Sequence, residues 1–314
     1  MRYYCAPLEG ITDSTFRRLH HQYFSGVDRY YMPFISPTIH RCLTHREARE
    51  LPKADSVDFT AVPQLLGKNV EDMLWAIDTC RDLGYDEVNI NLGCPSGTVV
   101  SKGKGSGMLA DPDGLDRFLE QIYEKASLPV SLKTRLGIAD PEEFPRILEI
   151  YNQYPVKELT IHPRVRKAFY KGDCDLQMFR LAVETAKMPL CYNGNVNTKR
   201  DIQAIAEQFP TVEAIMIGRG LIGDPGLLSP EGTTREQLQA FLTELRDTYS
   251  VIFGSKRNAV FRLKDNWHFL IALFEDSEKS WKELRKTTDY DRFCAISDEI
   301  IQTLPMRQAI EPTW

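Results

Sequence analysis

The sequence has no CxxC pair, no low-complexity segment, no heptad array and no excess of positive charge. It also lacks any apolar run near the roughly 18 residues that a membrane-spanning helix needs. Each absence excludes a class. The seven cysteines, Cys5, Cys42, Cys80, Cys94, Cys174, Cys191 and Cys294, are odd in number and unpatterned. That argues against a disulfide framework or a zinc site, so no metal is expected and the thiols are those of a reducing cytosol. The first residues turn polar at Glu9 and Asp13, too soon for a secretory signal, so a cytoplasmic protein with no membrane partner is expected. Thirty-nine basic against 44 acidic residues leave a net charge of −5. This excludes an indiscriminate nucleic-acid binder but allows a local basic patch. What is present is ordinary: 42% hydrophobic and 26% charged residues over 314 positions. A chain of that size buries a sizeable core unaided, as two domains or as one large barrel with an appendage.

Eight short β-branched or aromatic runs end in turn residues: Tyr3–Pro7, Asp28–Met32, Thr60–Leu66, Glu87–Leu92, Val130–Thr134, Glu158–His162, Leu190–Asn193 and Ala214–Ile217. Helical periodicity fills most of the gaps. Val70, Leu74, Ile77, Cys80 and Leu83 follow Asn69 as a cap, and Leu115, Phe118, Leu119, Ile122 and Tyr123 follow Asp111-Pro112-Asp113. Strands alternating with helices imply a parallel sheet, because parallel neighbours need a crossover. Eight repeats suit a (β/α)8 TIM barrel, and Pro7-Leu8-Glu9-Gly10 is not the glycine turn that an open dinucleotide-binding sheet would place after its first strand. From Arg235 onward the runs are helical only. The predicted organisation is a catalytic barrel over 1–230 and a small all-helical domain over 231–314.

In such a barrel the chemistry sits past the C-terminal ends of the strands. Those positions hold a thiol (Cys94), an ammonium (Lys133), an imidazole (His162), amides, and glycine turns at Asn193-Gly194-Asn195 and Gly218-Arg219-Gly220. The turns after the seventh and eighth strands are where these barrels hold a phosphate on backbone N–H groups, to which Arg219 would add a charge-assisted bond. Lys133 follows an apolar run, so its charge needs a partner: a cofactor anion and a Schiff-base lysine remain equally open. His162 is open between a structural and a functional role. Cys94, on a loop between Gly93 and Pro95, differs from Cys5, Cys80 and Cys191, which look like buried apolar cysteines. The glycine-rich stretch 97–107 beside it suggests a mobile lid; its thiol is open between nucleophile and acid, and a mostly protonated thiol suits proton donation. Two basic clusters stand out: Arg164, Arg166, Lys167 and Lys171, and Lys256, Arg257, Arg262 and Lys264. The segment from Arg235 onward carries 12 basic and 13 acidic residues, so any contact with phosphate backbone there must be local.

The rim motifs resemble those of the tRNA dihydrouridine synthase family. The resemblance spans roughly residues 3–226. It is carried by Ala6-Pro7-Leu8-Glu9-Gly10-Ile11-Thr12-Asp13, Gln64-Leu65-Leu66-Gly67, Asn91-Leu92-Gly93-Cys94-Pro95 and Gly103-Lys104-Gly105-Ser106-Gly107-Met108-Leu109. It continues through Lys133-Thr134-Arg135-Leu136-Gly137, His162-Pro163-Arg164 with Tyr170-Lys171-Gly172, Asn193-Gly194-Asn195-Val196 and Ile217-Gly218-Arg219-Gly220. Each motif alone is weak, but eight in order at strand ends are specific. Leu8 stands where many members carry Met.

The resemblance implies an FMN-dependent enzyme that reduces the C5=C6 bond of uridine in tRNA, with NADPH or NADH as reductant. Hydride from FMN would reach C6, and Cys94 would be the general acid at C5. Pro7, Leu8, Glu9, Gln64, Lys133, His162, Asn193, Gly194, Asn195, Gly218 and Arg219 would form the FMN site, Lys133 serving the N1/O2 edge of the reduced flavin. Asn91 and Arg164 would bind substrate, Asn91 at the uracil edge. The target base would leave its stack, the helical domain would grip the surrounding tRNA, and the protein is expected to act as a monomer. The alternatives are an FMN-dependent barrel reductase of a small enone or pyrimidine, a Schiff-base aldolase acting through Lys133, and a tRNA-binding barrel without redox activity.

Overall fold

The computed structural model describes residues 1–312 and 314. Nine short strands form one sheet: β1 (Arg2–Cys5), β2 (Arg29–Tyr31), β3 (Ala61–Val62), β4 (Gln64–Leu65), β5 (Val88–Leu92), β6 (Val130–Arg135), β7 (Leu159–His162), β8 (Leu190–Tyr192) and β9 (Ala214–Ile217). Their order is β3-β2-β1-β9-β8-β7-β6-β5-β4, and the strands pair in parallel. The two ends of that order, β3 and β4, are separated only by Pro63. Proline has no N–H to give to a ladder, so the run Thr60–Leu66 registers as two pieces of one strand. Its carbonyl still accepts from the Asn89 N–H at 2.8 Å, and Ile35 bridges Leu65. The sheet therefore closes into the eight-membered barrel that the eight runs predict.

The predicted caps are present. Asn69 heads the helix Val70–Asp82 by accepting from the Asp72 N–H at 3.0 Å, and Asp111 heads Pro112–Lys125 by accepting from the Gly114 N–H at 3.0 Å. Pro112 sits at the first helical position, where a missing N–H costs nothing. The buried face of that helix is Leu115, Phe118, Leu119 and Ile122. Each such side chain contributes about 1.5–3 kcal/mol of burial, so Leu119→Ala would cost roughly 2–5 kcal/mol.

Strand alternation decides what faces the barrel interior. Asn89 pairs with Ser131, Asn91 with Lys133, Lys133 with Thr160, Arg135 with His162, and Thr160 with Cys191. With a period of two, Asn89, Asn91, Ser131, Lys133, Arg135, Thr160, His162 and Cys191 fall on one face, while Ile90 and Leu132 face the outer helices. Beneath the polar rim lies an apolar plug of Tyr4, Ala6, Tyr31, Val62, Cys191, Ala214 and Met216.

The chain forms two compact units. One comprises Met1–Pro7, Asp28–Asn195 and Ile205–Met216; the other comprises Leu8–Val27, Val196–Ala204 and Ile217–Trp314. The second unit holds the helices Ser14–Tyr23, Arg235–Ile252, Lys256–Leu270, Glu278–Leu284 and Tyr290–Thr303. Its division from the first is not a single cut in the sequence. Phe16, Tyr23 and Phe24 pack edge-on around Phe241, with ring centroids 5.8, 6.3 and 5.5 Å away, so the helix after β1 shares its core with the C-terminal helices. Among the described residues no helix is long and apolar enough to cross a membrane.

Candidate active site

A chain of buried amides leads up the interior face to Cys94. Asn89 Nδ2 donates to Ser131 Oγ (3.0 Å), Gln64 Nε2 donates to Asn89 Oδ1 (2.8 Å), and Asn91 Nδ2 donates to Gln64 Oε1 (2.7 Å). Asn91 Oδ1 then accepts the N–H groups of Gly93 (3.0 Å) and Cys94 (2.8 Å). Because buried polar atoms must be paired, this ladder orients every amide in it and fixes the loop on which Cys94 stands. Asn91, expected at the uracil edge, has its oxygen committed to that loop.

The other side of the loop is held as firmly. Ser106 donates from both Oγ (2.7 Å) and its backbone N–H (3.2 Å) to the carbonyl of Cys94. The glycine-rich stretch forms the short helices Gly97–Val100 and Gly105–Ala110 rather than an open loop. Two of its glycines serve close approach. A Cβ on Gly105 would lie 3.1 Å from Cys94 Cβ, with φ at +57°, and one on Gly107 would lie 2.9 Å from the carbonyl oxygen of Val100. Cys94 itself is half-buried and outside any disulfide, whereas Cys5, Cys80 and Cys191 are buried as expected.

Lys133 and its neighbours give the rim its charge. Burial, and to a lesser extent the charge of Arg135, lowers the Lys133 ammonium to about 8. Among the described residues no carboxylate lies within ion-pair distance of it. Burial also holds His162 well below its ordinary value, reinforced by Arg135, Lys133 and Arg164. Arg164 Nη1 lies 3.0 Å from His162 Nε2. A guanidinium only donates, so Nε2 is the acceptor and the neutral ring carries its proton on Nδ1. His162 is also hydrogen-bonded to Asn193, whose Nδ2 donates to the carbonyl of Met216 at 2.7 Å. Arg164, expected to bind substrate, is 3% exposed and gives its other Nη to the carbonyl of Gly172.

Sequence reasoning placed Arg135 on the rim without giving it a task. Its Nε donates to the carbonyl of Gly93 (2.8 Å), and its Nη1 donates to the carbonyls of Phe169 (2.7 Å) and Val165 (3.3 Å). One guanidinium thus joins the Cys94 loop to the loop after β7. The available signal was its i+2 spacing from Lys133, which places it on the same face of β6.

The remaining predicted residues lie at turns. Pro7 ends the β1 segment; Gly194 and Asn195 follow β8, with Asn195 at a φ of +47° and no room for a Cβ at Gly194, where it would lie 2.4 Å from Cys174 Sγ. The second unit carries Leu8, Glu9, Gly218 and Arg219. Leu8 caps a tight turn, its carbonyl accepting from the N–H groups of Ile11 and Thr12, both at 3.0 Å; Glu9 is exposed. Gly218 precedes the helix Arg219–Gly223, and a Cβ on Gly220 would meet the carbonyl oxygen of Val196 at 2.4 Å. Among the described residues no cluster of His, Cys, Asp or Glu suits a metal ion.

Comparison with known proteins gives the family. The family profile Dihydrouridine synthase (Dus) matches residues 4–273. The tRNA-dihydrouridine synthase B of Pasteurella multocida (strain Pm70) is 30% identical over 227 residues, covering 72% of this chain and 67% of that protein. A probable tRNA-dihydrouridine synthase of Rhizobium leguminosarum bv. phaseoli is 32% identical over 222 residues, covering 70% and 68%. Among solved structures, morphinone reductase superposes with a TM-score of 0.51 at 13% identity, over 72% of this chain and 84% of that one, a likeness of fold alone. With its sequence matched over most of its length, and a thiol, an ammonium and an imidazole held at the strand ends of a parallel barrel, the chain belongs to the dihydrouridine synthase family and is a flavin-dependent oxidoreductase.

Proposed function

We propose that this chain reduces the C5=C6 bond of uridine in tRNA, using bound FMN and an NADPH or NADH reductant. The observation that carries the reading is Lys133: a half-buried cation with no carboxylate partner among the described residues, one strand away from the loop that presents Cys94. A protein does not leave such a charge uncompensated without a resident anion. The N1/O2 edge of a reduced flavin would supply one, which is the test of fit for FMN, and Gln64 and Asn193 add amides on the same interior face. The turn bearing Gly194 and Asn195 would receive the phosphate. FMN, when bound, supplies the hydride that the alkene accepts at C6.

The chain's own groups account for the rest. C5 gains electron density through conjugation to the C4 carbonyl, and the Cys94 thiol donates a proton there. Asn91 and Ser106 position that thiol by holding the backbone on either side of it. Neutral His162, its ring fixed between Arg164 and Asn193, would border the site without adding a further positive charge. Arg164 therefore contributes to substrate and cofactor binding through the ring it orients.

The division of labour we propose is catalysis by 1–230 and tRNA binding by 231–314. The helix Lys256–Leu270 supports this. Arg257, Phe261 and Lys264 recur at helical spacing on its outer side, the guanidinium 6.0 Å and the ammonium 5.5 Å from the Phe261 ring centroid. Exposed aromatic rings interleaved with cations suit bases and phosphates. The experiment is direct. Purified protein with NADPH is incubated with tRNA from a strain lacking dihydrouridine, and the digested product is weighed. A gain of about two daltons at one loop uridine, lost in Cys94→Ala, supports the reading. A yellow protein that reduces small enones and leaves tRNA untouched would overturn it.

A further inference from the structure

The loop after β7 carries a feature that neither the flavin site nor the proton donor uses. Lys171 N–H donates to the carbonyl of Ala168 at 2.9 Å, closing a four-residue turn with Phe169 at its first corner. Phe169 has φ +51° and ψ −102°. That is the corner of a type II′ turn, a position glycine fills because a side chain is strained there. Such strain persists only where the surroundings over-determine it, and it clusters at functional sites. Here Arg135 clamps the carbonyl of Phe169 at 2.7 Å.

The clamp puts two aromatic rings in solvent: Phe169 is 44% and Tyr170 48% exposed. Tyr170 is anchored, edge-on to His162 at 6.0 Å and 5.3 Å from the Arg135 guanidinium. Phe169 lies beside the Arg166 guanidinium, 5.8 Å from its centroid. Arg166, Lys167 and Lys171 surround the turn, and none of them pairs with a carboxylate within 4 Å among the described residues, although Lys167 acts at longer range on Glu143. An exposed ring among these cations, on a chain of net negative charge, complements a base flanked by phosphates. It is too small an apolar surface to seat an amphipathic membrane contact.

Resting on the tRNA reading above, we propose that Phe169 stacks on a nucleobase next to the reacting uridine, with Lys167 and Lys171 on the adjoining phosphates. Enzymes that draw a base out of its stack fill or cap the gap with a wedge side chain. The location suits that task. The same guanidinium that holds Phe169 holds the carbonyl of Gly93 at 2.8 Å, so only Arg135 stands between this turn and the residue before Cys94.

The backbone strain makes the test clean, because glycine relieves it while removing the ring. Phe169→Gly, Phe169→Ala and Phe169→Trp are compared with wild type by thermal melting, by anisotropy of labelled tRNA lacking dihydrouridine, and by mass of the tRNA product. Phe169→Gly is expected to melt at or above the wild-type temperature while binding tRNA about tenfold more weakly. Phe169→Trp should retain binding and gain a fluorescence component that tRNA quenches. If Phe169→Gly and Phe169→Ala bind tRNA within about twofold of wild type, or the added tryptophan does not respond to tRNA, the stacking role is wrong while the synthase reading stands. If wild type itself forms no dihydrouridine, the synthase reading fails and the stacking role with it.

Discussion

The barrel's two ends bury charge in opposite ways. At the N-terminal ends of the strands, Glu87 is met by Arg29 at 2.8 Å and by Lys157, and Ser131 Oγ adds a hydrogen bond. Glu158 there accepts from Tyr4 (3.0 Å), Tyr31 (3.4 Å) and Arg2 (3.4 Å). Every buried carboxylate at that end has a cation or hydroxyl. At the C-terminal end Lys133, Arg135 and Arg164 gather around a neutral His162, with no carboxylate among them in the described residues. The first arrangement is complete in itself and serves the fold. On the reading proposed above the second awaits an anion at Lys133, and that difference would separate a structural polar cluster from a binding one.

The comparison breaks most sharply at the thiol. Cys94→Ala removes the proposed proton donor and leaves the amide ladder intact, so tRNA reduction is expected to fall by about 10²–10⁴-fold with an unchanged melting temperature; product mass after a fixed time reads it. Lys133→Met tests whether the mouth awaits an anion. Losing one charge-assisted contact should weaken flavin binding by about tenfold to a hundredfold. In the wild-type apoprotein the lowered Lys133 is charged below about 8 and neutral above it. Flavin affinity should therefore drop as pH rises through that value, and titration of flavin fluorescence quenching should show the inflection vanish in Lys133→Met.

The floor should answer in stability instead. Burial raises the Glu158 carboxyl above its ordinary value. The native state then binds more protons than the unfolded chain between the two values, so stability falls as pH rises through that window and the cost persists above it. Glu158→Gln should remove this pH dependence and disturb the Tyr4 and Tyr31 bonds at a net cost of about 1–3 kcal/mol, read by denaturant unfolding, with tRNA reduction unchanged. The smallest effect belongs to Ser106→Ala. It deletes one of two bonds to the Cys94 carbonyl, for about 1 kcal/mol, and should lower turnover a few-fold without moving the pH profile.

Much of this was legible in the residues. Eight strand runs, the Asn69 and Asp111 caps and the helical character after Arg235 follow from periodicity and local hydrogen bonding, which act over a few residues. Cys94 and Lys133 were legible because a thiol between glycine and proline, and a lysine after an apolar run, are locally out of place. Pro63 was read as part of one strand, and its missing N–H shows only as a break in the ladder. Arg164 read as one cation of a basic cluster and a substrate ligand, whereas the fold buries it against His162; the cluster's sequence says nothing about which member turns inward. The glycines of 97–107 read as a mobile lid, and Gly105 and Gly107 show that one sequence signal stands for both freedom and lack of space.

The sequence by itself determined the alternation of strand and helix, and hence which side chains arrive at strand ends, since both depend on spacing along the chain. Only the tertiary structure decided how those side chains share charge. The pairing of Asn91 with Cys94, of Arg135 with both Gly93 and Phe169, and of Arg164 with His162 depends on strand register and side-chain reach, distances that no one-dimensional pattern encodes. The uncompensated charge of Lys133 likewise becomes visible only when every neighbour in space has been accounted for.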